Sequence, residues 1–305
     1  MKNVLGFLFD LLVLTKYRIT GVAIFTGYTA IAVEGHYATD LGHIWPCLVA
    51  LFLTGGSANT LNQVFELEKD AVMNRTKSRR PLPAGRISTR QAVWFAVVQF
   101  IAAIALLVLA YPGREGWLAA LLVIFTIVYY SFFYTLYLKP KHWTNIIIGG
   151  VPGAMGPLIA WAAMAGELAW EPVAMFSLIF LWTPPHVWAL AIKLKDDYAR
   201  AGIPMLPVVK GVDETTRQIF IYTVIMFVGS LALPLATAHG SWWESCPVYL
   251  SLAAVLGVVF LVWAWLLWVR RPMMPTMPLF RYSILYISAL FLAMIIDAAY
   301  LRRGA

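Results

Sequence analysis

Three oxygen-bearing side chains recur every four residues near the end of the second apolar segment: Asn62, Glu66 and Asp70. On a helix, residues four apart lie on one face, so the three side chains form a single stripe from which Glu68 points away. Carboxylates at this spacing repel each other, and a cation placed among them removes the repulsion. Mg²⁺ suits such a stripe, because it binds through one or two carboxylates together with substrate phosphates. The spacing therefore predicts a magnesium site.

A basic run follows the stripe directly and carries the groups that a phosphate needs. Its cations are Arg75, Lys77, Arg79, Arg80 and Arg86. Arginine binds phosphate oxygens through two parallel hydrogen bonds, so the stripe and the run together predict a site for a metal-bridged diphosphate. The alternative is a solvated helix end followed by a positive loop that only orients the protein in a membrane. The cost of carboxylates at a membrane border favours the functional interpretation.

A second polar cluster follows the sixth apolar segment. Asp196 and Asp197 are adjacent there, and we predict that they hold a second cation or share the first one. The alternative is that they only pair with neighbouring cations, which are Lys193, Lys195 and Arg200. His186 lies one turn inside the preceding helix, beside two prolines. A histidine in this position is either a hydrogen-bonded structural residue or a ligand, and both interpretations stay open.

The elements that must position these residues are membrane spans. Of the 305 residues, 61% are hydrophobic and 12% are charged, with a mean hydropathy of +0.75, whereas soluble chains carry about a quarter charged residues. About 20 apolar residues span a bilayer core. The chain divides into nine predicted spans, at roughly 19–34, 44–64, 91–111, 117–137, 145–164, 172–192, 218–237, 247–269 and 282–300. We predict an all-α polytopic membrane protein with one domain, residues 1–305.

The charge pattern predicts how the spans are oriented. The N-terminal arm and the stretches 65–90, 138–144, 193–217 and 270–281 hold 20 of the 23 Lys and Arg residues. Since Lys and Arg collect on the cytoplasmic side, we predict a cytoplasmic N-terminus and an external C-terminus. The same rule accounts for the net charge of +8 without nucleic acid as a partner. No cleavable signal or transit peptide is predicted, which favours a multi-pass protein of a bacterial inner membrane.

Several motifs together resemble one known family. The stripe Asn62–Asp70, the segment Met73–Thr76 and the segment Arg80–Gly85 are similar to the first signature of intramembrane UbiA-type prenyltransferases. Asp196–Tyr198 followed by Ala201–Pro207 resembles the branch of this family that farnesylates heme. The stretches 134–139, 145–150 and 183–186 agree with the same branch, so the resemblance covers nearly the whole chain.

The resemblance implies a nine-helix bundle with a central cavity capped by the two long cytoplasmic loops. The implied reaction transfers farnesyl from farnesyl diphosphate to a vinyl group of heme b (protoheme IX) with addition of water, giving heme o for heme–copper oxidases. Asn62, Glu66 and Asp70, with Asp196 and Asp197, would hold Mg²⁺, and His186 would orient heme or water. The implied diphosphate ligands are Arg18, Arg75, Lys77, Arg79, Arg80, Lys139 and Asn145.

Three departures from the family pattern concern the site. Glu66 and Glu68 stand where many relatives carry aspartate, which keeps the oxygen ligands and lengthens them by one methylene. Tyr17 replaces the proline expected between the neighbouring lysine and arginine. The Arg79–Arg80 pair adds one residue to the usual spacing, so either arginine can take the family role.

Two other functions are compatible with the composition. One is prenylation of an aromatic quinone precursor by a related enzyme, against which the Tyr198–Pro207 stretch argues. The other is an anion transporter, which predicts repeated halves and broken helices at the bilayer midplane. Besides both substrates and the lipid bilayer, the partners that the resemblance implies are a heme A synthase and oxidase assembly factors.

Overall fold

The computed structural model describes residues 4–234, 246–270 and 275–304, and the regular structure within these ranges is helical. In chain order the α-helices are α1 (Val4–Leu14), α2 (Tyr17–Glu34), α3 (Leu41–Phe65), α4 (Leu67–Val72), α5 (Thr89–Ala110), α6 (Arg114–Val128), α7 (Lys139–Lys141), α8 (Asn145–Ile148), α9 (Val151–Ala154), α10 (Gly156–Ala165), α11 (Trp170–Lys193), α12 (Lys195–Arg200), α13 (Leu206–Val209), α14 (Gly211–Ala232), α15 (Pro247–Val269) and α16 (Thr276–Gly304). A π-helical segment, Tyr129–Leu138, connects α6 to α7.

Eight helical stretches of the described chain are long and apolar enough to cross a membrane. They are Leu41–Phe65, Thr89–Ala110, Arg114–Lys141, Asn145–Ala165, Trp170–Lys193, Gly211–Ala232, Pro247–Val269 and Thr276–Tyr300. α2 corresponds to the first predicted span; it is 18 residues long and packs against α3 and α10. The prediction of an all-helical polytopic membrane protein with about nine spans is confirmed.

The fifth predicted span, 145–164, is helical but not continuous. It consists of α8, α9 and α10, and Pro152 and Pro157 lie in the first turns of α9 and α10. Proline is tolerated there because it has no amide hydrogen to contribute to the helix. The other predicted spans coincide with helices to within several residues, and the last three residues of the span 218–237 lie outside the described residues.

α1 is a helix that the sequence analysis did not predict. It exposes the apolar residues Val4, Leu5 and Phe9 and buries Asp10. The Asp10 carboxylate accepts a hydrogen bond of 2.8 Å from Nε of Arg86. Arg86 belongs to the basic loop, residues 73–88, which connects α4 to α5. The ion pair therefore ties the start of the chain to the loop that carries the predicted diphosphate ligands.

The π-helical segment directs two side chains towards the end of α3. The hydroxyl of Thr135 donates to the carbonyl oxygen of Tyr130, five residues earlier, at 2.7 Å. The same hydroxyl oxygen accepts a hydrogen bond of 3.1 Å from Nδ2 of Asn62. Lys139 follows the segment at once and reaches Glu66. π-Helical turns are rare and often occur at functional sites, and this one brings α6 into contact with the acidic stripe.

Gly149 allows the ring of Tyr134 to lie against the backbone. A Cβ atom at position 149 would be 2.3 Å from two ring carbons of Tyr134 and 2.4 Å from the carbonyl oxygen of Asn145. A Cβ atom at Gly153 would have nothing within 4 Å. The glycine at 149 is therefore required by close packing, and the one at 153 is not.

We expect Gly149→Ala to destabilise the bundle, because overpacking of a filled interior costs about 1–3 kcal/mol. The variant should unfold at a lower temperature than the parent protein in detergent, measured by tryptophan fluorescence. Gly153→Ala is the matched control and should unfold with the parent. Equal midpoints for the two variants would contradict the contact between Gly149 and Tyr134.

Candidate active site

The acidic stripe continues across a break between two helices. α3 ends at Phe65, and Glu66 has a non-helical backbone before α4 begins. Two backbone hydrogen bonds nevertheless keep the four-residue register. The amide of Glu66 donates to the carbonyl oxygen of Asn62 at 3.0 Å, and the amide of Asp70 donates to the carbonyl oxygen of Glu66 at 2.8 Å. Asn62, Glu66 and Asp70 are all buried, whereas Glu68 is exposed.

Two cations from different parts of the chain neutralise the carboxylates of the stripe. Nη1 of Arg80 makes a close ion pair with Asp70 and lies 4.0 Å from Oε2 of Glu66. Nζ of Lys139 pairs with the other oxygen of Glu66. Burial raises the pKa of Glu66, but Lys139 and the other nearby cations more than offset this and hold the pKa below its usual value. Glu66 is therefore an anion at neutral pH.

Lys16 is a further basic residue at the stripe, and the sequence did not assign it to the site. Its Nζ donates a hydrogen bond of 2.8 Å to Oδ1 of Asn62. Burial and the neighbouring Arg80 lower its pKa well below the usual value, while Glu66 opposes this. The one signal in the sequence is its place two residues before Arg18, in a short basic turn ahead of the first span.

The backbone at Lys16 adopts a left-handed conformation, with φ 50° and ψ 46°. It is the one non-glycine residue with positive φ in the described part of the chain. Side chains of α3 hold the turn in place: Nε2 of Gln63 donates to the carbonyl oxygen of Leu14 at 2.8 Å, and Nδ2 of Asn59 donates to that of Thr15 at 3.2 Å. Such strain persists only where the surroundings impose it, and here it aims Lys16 at Asn62.

A basic pocket of about 440 Å³ opens beside the stripe, between the α1–α2 turn and the basic loop. The cations that line it are Lys16, Arg18, Arg75, Arg79 and Arg80. Nε of Arg75 is buried and has no hydrogen-bond partner among the residues that the structure describes. A buried donor without a partner is costly, so the pocket is built for an anion that completes it.

Three predicted diphosphate ligands have other surroundings. Lys77 is exposed and does not line the pocket. Lys139 pairs with Glu66. Asn145 is buried; its Nδ2 donates to the carbonyl oxygen of His142 at 2.7 Å, and its Oδ1 has no partner within the described ranges. The pocket therefore brings together four of the seven residues predicted to bind diphosphate.

Asp197 has partners other than the metal that the sequence predicts. Its carboxylate accepts hydrogen bonds from the amides of Asn74 and Arg75, at 3.3 and 3.1 Å, and pairs with Arg200. Burial alone raises the pKa of Asp197, but these donors outweigh it and lower the pKa below its usual value. Asp196 is exposed. The second cluster thus holds the basic loop in position through Asp197.

No three His, Cys, Asp or Glu side chains within residues 4–234, 246–270 and 275–304 converge into a complete metal cage. Two carboxylates do converge, since a single nitrogen of Arg80 contacts both Glu66 and Asp70. A cation in the place of this nitrogen lies between the two carboxylates. The amide oxygen of Asn62 is one helical turn away. This donor set fits Mg²⁺, which takes its remaining ligands from water and substrate phosphate.

His186 lies in α11 and does not line the basic pocket. Its ring is stacked between those of Trp182 and Phe280, with centroid distances of 4.2 and 4.5 Å. Nδ1 is 2.7 Å from the hydroxyl oxygen of Ser283 in α16. The histidine is therefore held rigidly at the contact between α11 and α16.

We expect Asp197→Asn to loosen the basic loop, because the loop loses a charged acceptor for two amides. Trypsin should cut the exposed sites at Lys77 and Arg79 several-fold faster in this variant, as followed by mass spectrometry of the fragments. Asp196→Asn is the matched control, since Asp196 is exposed, and should be cut at the parent rate. Identical rates for the two variants would show that Asp197 does not hold the loop.

Curated relatives match almost the full length of the chain. A protoheme IX farnesyltransferase from Brucella anthropi is 39% identical over 299 residues, covering 95% of this chain and 90% of that protein. A protein of the same name from Gloeobacter violaceus is 41% identical over 295 residues, covering 94% of this chain and 91% of that protein. Another, from Microcystis aeruginosa, is 42% identical over 295 residues, covering 93% of this chain and 87% of that protein.

Solved structures share the fold at lower identity. A digeranylgeranylglyceryl phosphate synthase superposes with a TM-score of 0.73 at 19% identity, covering 95% of this chain and 98% of that one. A UbiA homolog from Archaeoglobus fulgidus, bound to GPP and Mg²⁺, superposes with a TM-score of 0.59 at 16% identity, covering 93% and 99%. The model of the UbiA prenyltransferase family matches residues 23–295. This multi-pass membrane protein belongs to the UbiA prenyltransferase family.

Proposed function

We propose that the protein transfers farnesyl from farnesyl diphosphate to a vinyl group of heme b, with addition of water, to give heme o. The observation that carries the proposal is the basic pocket beside the buried acidic stripe, with the unpartnered Nε of Arg75 in its wall. Such a pocket is suited to a diphosphate leaving group. The acceptor and the length of the prenyl chain rest on the relatives at about 40% identity that are named protoheme IX farnesyltransferase.

The basic pocket binds the diphosphate in this proposal. Arg18, Arg75, Arg79 and Arg80 line it and supply guanidinium groups to the phosphate oxygens. When the bond between C1 of farnesyl and the diphosphate oxygen breaks, its electron pair leaves with the diphosphate. Preorganised cations are most effective where charge develops in this way. Both members of the Arg79–Arg80 pair line the pocket, so the extra arginine adds a ligand instead of shifting the motif.

The stripe of Asn62, Glu66 and Asp70 is the proposed magnesium site. Mg²⁺ would supply positive charge to the oxygens of the leaving diphosphate. Nη1 of Arg80 already lies between the two carboxylates, which supports a cation position there. Arg80 also lines the basic pocket, and its guanidinium would then serve the phosphate. The Archaeoglobus fulgidus homolog bound to GPP and Mg²⁺ supports a site that holds Mg²⁺ together with a prenyl diphosphate.

The carbon chemistry takes place next to the stripe in this proposal. The π electrons of a heme vinyl group form a bond to C1 of the farnesyl cation. Water then adds its oxygen to the carbon left positive and releases one proton to solvent. Tyr130 and Tyr134 stack with ring centroids 5.3 Å apart, and Lys139, which pairs with Glu66, lies 5.9 Å from the ring centroid of Tyr134. Their ring faces can stabilise the allylic cation.

The roles proposed for the second cluster follow its contacts. Asp197 positions Arg75 by accepting a hydrogen bond from its backbone amide, and it acts on the diphosphate through that arginine. Asp196 and Lys77 are exposed, and in this proposal neither contacts the metal or the diphosphate. Lys139 and Asn145 support the site from the side of the π-helical segment, through Glu66 and through the backbone at His142.

Purified protein in detergent, supplied with heme b, farnesyl diphosphate and Mg²⁺, should produce heme o, identified by chromatography and mass spectrometry. An aromatic quinone precursor in place of heme should give no prenylated product. If folded protein prenylates the quinone precursor and leaves heme unchanged, the proposed acceptor is wrong. If it forms neither product, the proposed activity is wrong, and uptake of anions into proteoliposomes becomes the next measurement.

We expect Asp70→Asn to reduce turnover by about 100-fold or more, since loss of one preorganised charge at the reacting group has this size. The amide keeps the shape of the side chain and one acceptor for Arg80, so heme binding should survive. Glu68→Gln is the matched control, because Glu68 is exposed two residues away. Turnover by Asp70→Asn equal to that of the control would remove Asp70 from the metal site.

We expect Lys16→Met to weaken the binding of farnesyl diphosphate. A hydrogen bond to a charged group contributes about 1.5–3 kcal/mol, which corresponds to roughly tenfold or more in Kd. The Kd is measured by calorimetry with Mg²⁺ and without heme. The matched control is Lys193→Met, which removes an exposed lysine at the end of α11. An unchanged Kd in Lys16→Met would show that Lys16 serves only the conformation of Asn62.

A further inference from the structure

The hydrogen bonds around His186 favour one tautomer of its ring. The hydroxyl of Ser283 has a single hydrogen, and it donates that hydrogen to the carbonyl oxygen of Phe280 at 2.7 Å. The same hydroxyl oxygen is 2.7 Å from Nδ1 of His186. With its hydrogen directed to Phe280, the oxygen accepts a hydrogen bond from Nδ1. This arrangement places the proton of a neutral His186 ring on Nδ1 and leaves a lone pair on Nε2.

Nε2 is the ring nitrogen left to bind a ligand. Within residues 4–234, 246–270 and 275–304 it forms no side-chain hydrogen bond, and it is not one of the fully buried polar atoms that lack a partner. The ring cannot turn away easily, since Trp182 and Phe280 stack on its two faces. Trp182 is itself fixed, because its Nε1 donates to the carbonyl oxygen of Ser283 at 2.7 Å.

This arrangement is the one that metal-binding histidines show. Such a histidine donates its other ring N–H to a fixed acceptor, which selects the tautomer and orients the lone pair. Heme iron is commonly bound by one histidine nitrogen of this kind. A histidine that only filled space between two helices would not need a buried serine oxygen to accept a hydrogen bond from one of its nitrogens.

The depth of His186 suits a heme whose acidic edge lies at the membrane border. His186 is seven residues before Lys193, the last residue of α11, which places it about 10 Å into the apolar layer at 1.5 Å per residue. The exposed cations at that border include Lys193, the last residue of α11. The propionates of heme can reach such cations while the iron and the vinyl groups lie deeper.

We infer that His186 binds the iron of the heme substrate through Nε2, with Ser283 as the residue that positions it. The inference rests on the proposed function, in which heme b is the acceptor. It deepens that function by giving the acceptor a fixed point of attachment on α11 and α16, separate from the diphosphate pocket. Because the imidazole is held by three side chains, the iron and the ring around it are held as well.

The test is the absorption and electron paramagnetic resonance spectra of ferric heme b bound to the purified full-length protein in detergent. The parent protein should shift the Soret band to that of a histidine-ligated heme. His186→Ala should lose this shift, and its Kd for heme should rise by about tenfold or more, as expected for loss of more than 1.4 kcal/mol. Added imidazole should restore the shift in His186→Ala. His36→Ala, at an exposed histidine of the α2–α3 connection, should keep the parent spectrum.

Ser283→Ala tests the positioning role. The histidine remains, so the heme stays ligated, but the affinity should fall by roughly 10–100-fold, the usual effect of removing the group that orients a metal ligand. An intact fold is checked in each variant by the binding of farnesyl diphosphate, because the basic pocket does not include His186 or Ser283.

The failure of this inference and the failure of the proposed function give different results. If the parent protein makes heme o and His186→Ala keeps the parent Soret band and heme affinity, the iron is not bound by His186. His186→Gln, which keeps a side chain between the two rings, should behave like His186→Ala. Parent spectra in both variants would overturn the inference. If the parent protein binds heme through His186 but forms no heme o, the inference about His186 is correct and the proposed reaction is wrong.

Discussion

The structure depends on keeping two carboxylates buried at the border of a membrane. Glu66 and Asp70 are nearly inaccessible to solvent, and a buried charge is tolerated only when it is paired and hydrogen-bonded. Arg80 and Lys139 provide the pairing, and they come from the basic loop and from the end of the π-helical segment. The elements around α3 are therefore held together by the same charges that are proposed to bind the metal and the diphosphate.

This constraint explains why irregular backbone gathers around α3. The helix break at Glu66, the π-helical turns before Lys139 and the left-handed turn at Lys16 each aim a polar side chain at one small volume. Each is stabilised by side chains from a neighbouring element, such as Gln63 on the carbonyl oxygen of Leu14. The second acidic cluster contributes at a distance, because Asp197 anchors the loop that carries Arg75. The apolar helices serve as a rigid frame.

The sequence predicted the fold well because composition and helical periodicity are local properties. Long apolar segments in lipid form helices because their backbone polar groups must be hydrogen-bonded within the segment. The resemblance to the UbiA family was confirmed by the family match and by relatives near 40% identity. The stripe of Asn62, Glu66 and Asp70 is also local, since three side chains four residues apart share a face. The pocket contains Arg18, Arg75, Arg79 and Arg80 together, as the family motifs suggested.

What the sequence determined by itself was therefore the helical frame, the acidic stripe and the basic character of the loop beside it. Only the tertiary structure decided which partner each polar side chain meets. Arg80, and not a neighbouring arginine, pairs with Asp70; Lys16 donates to Asn62; and Asp197 accepts hydrogen bonds from backbone amides of the basic loop. The reason is physical. Helix formation depends on neighbours in sequence, whereas a buried charge selects its partner by distance and desolvation among residues up to 123 positions apart.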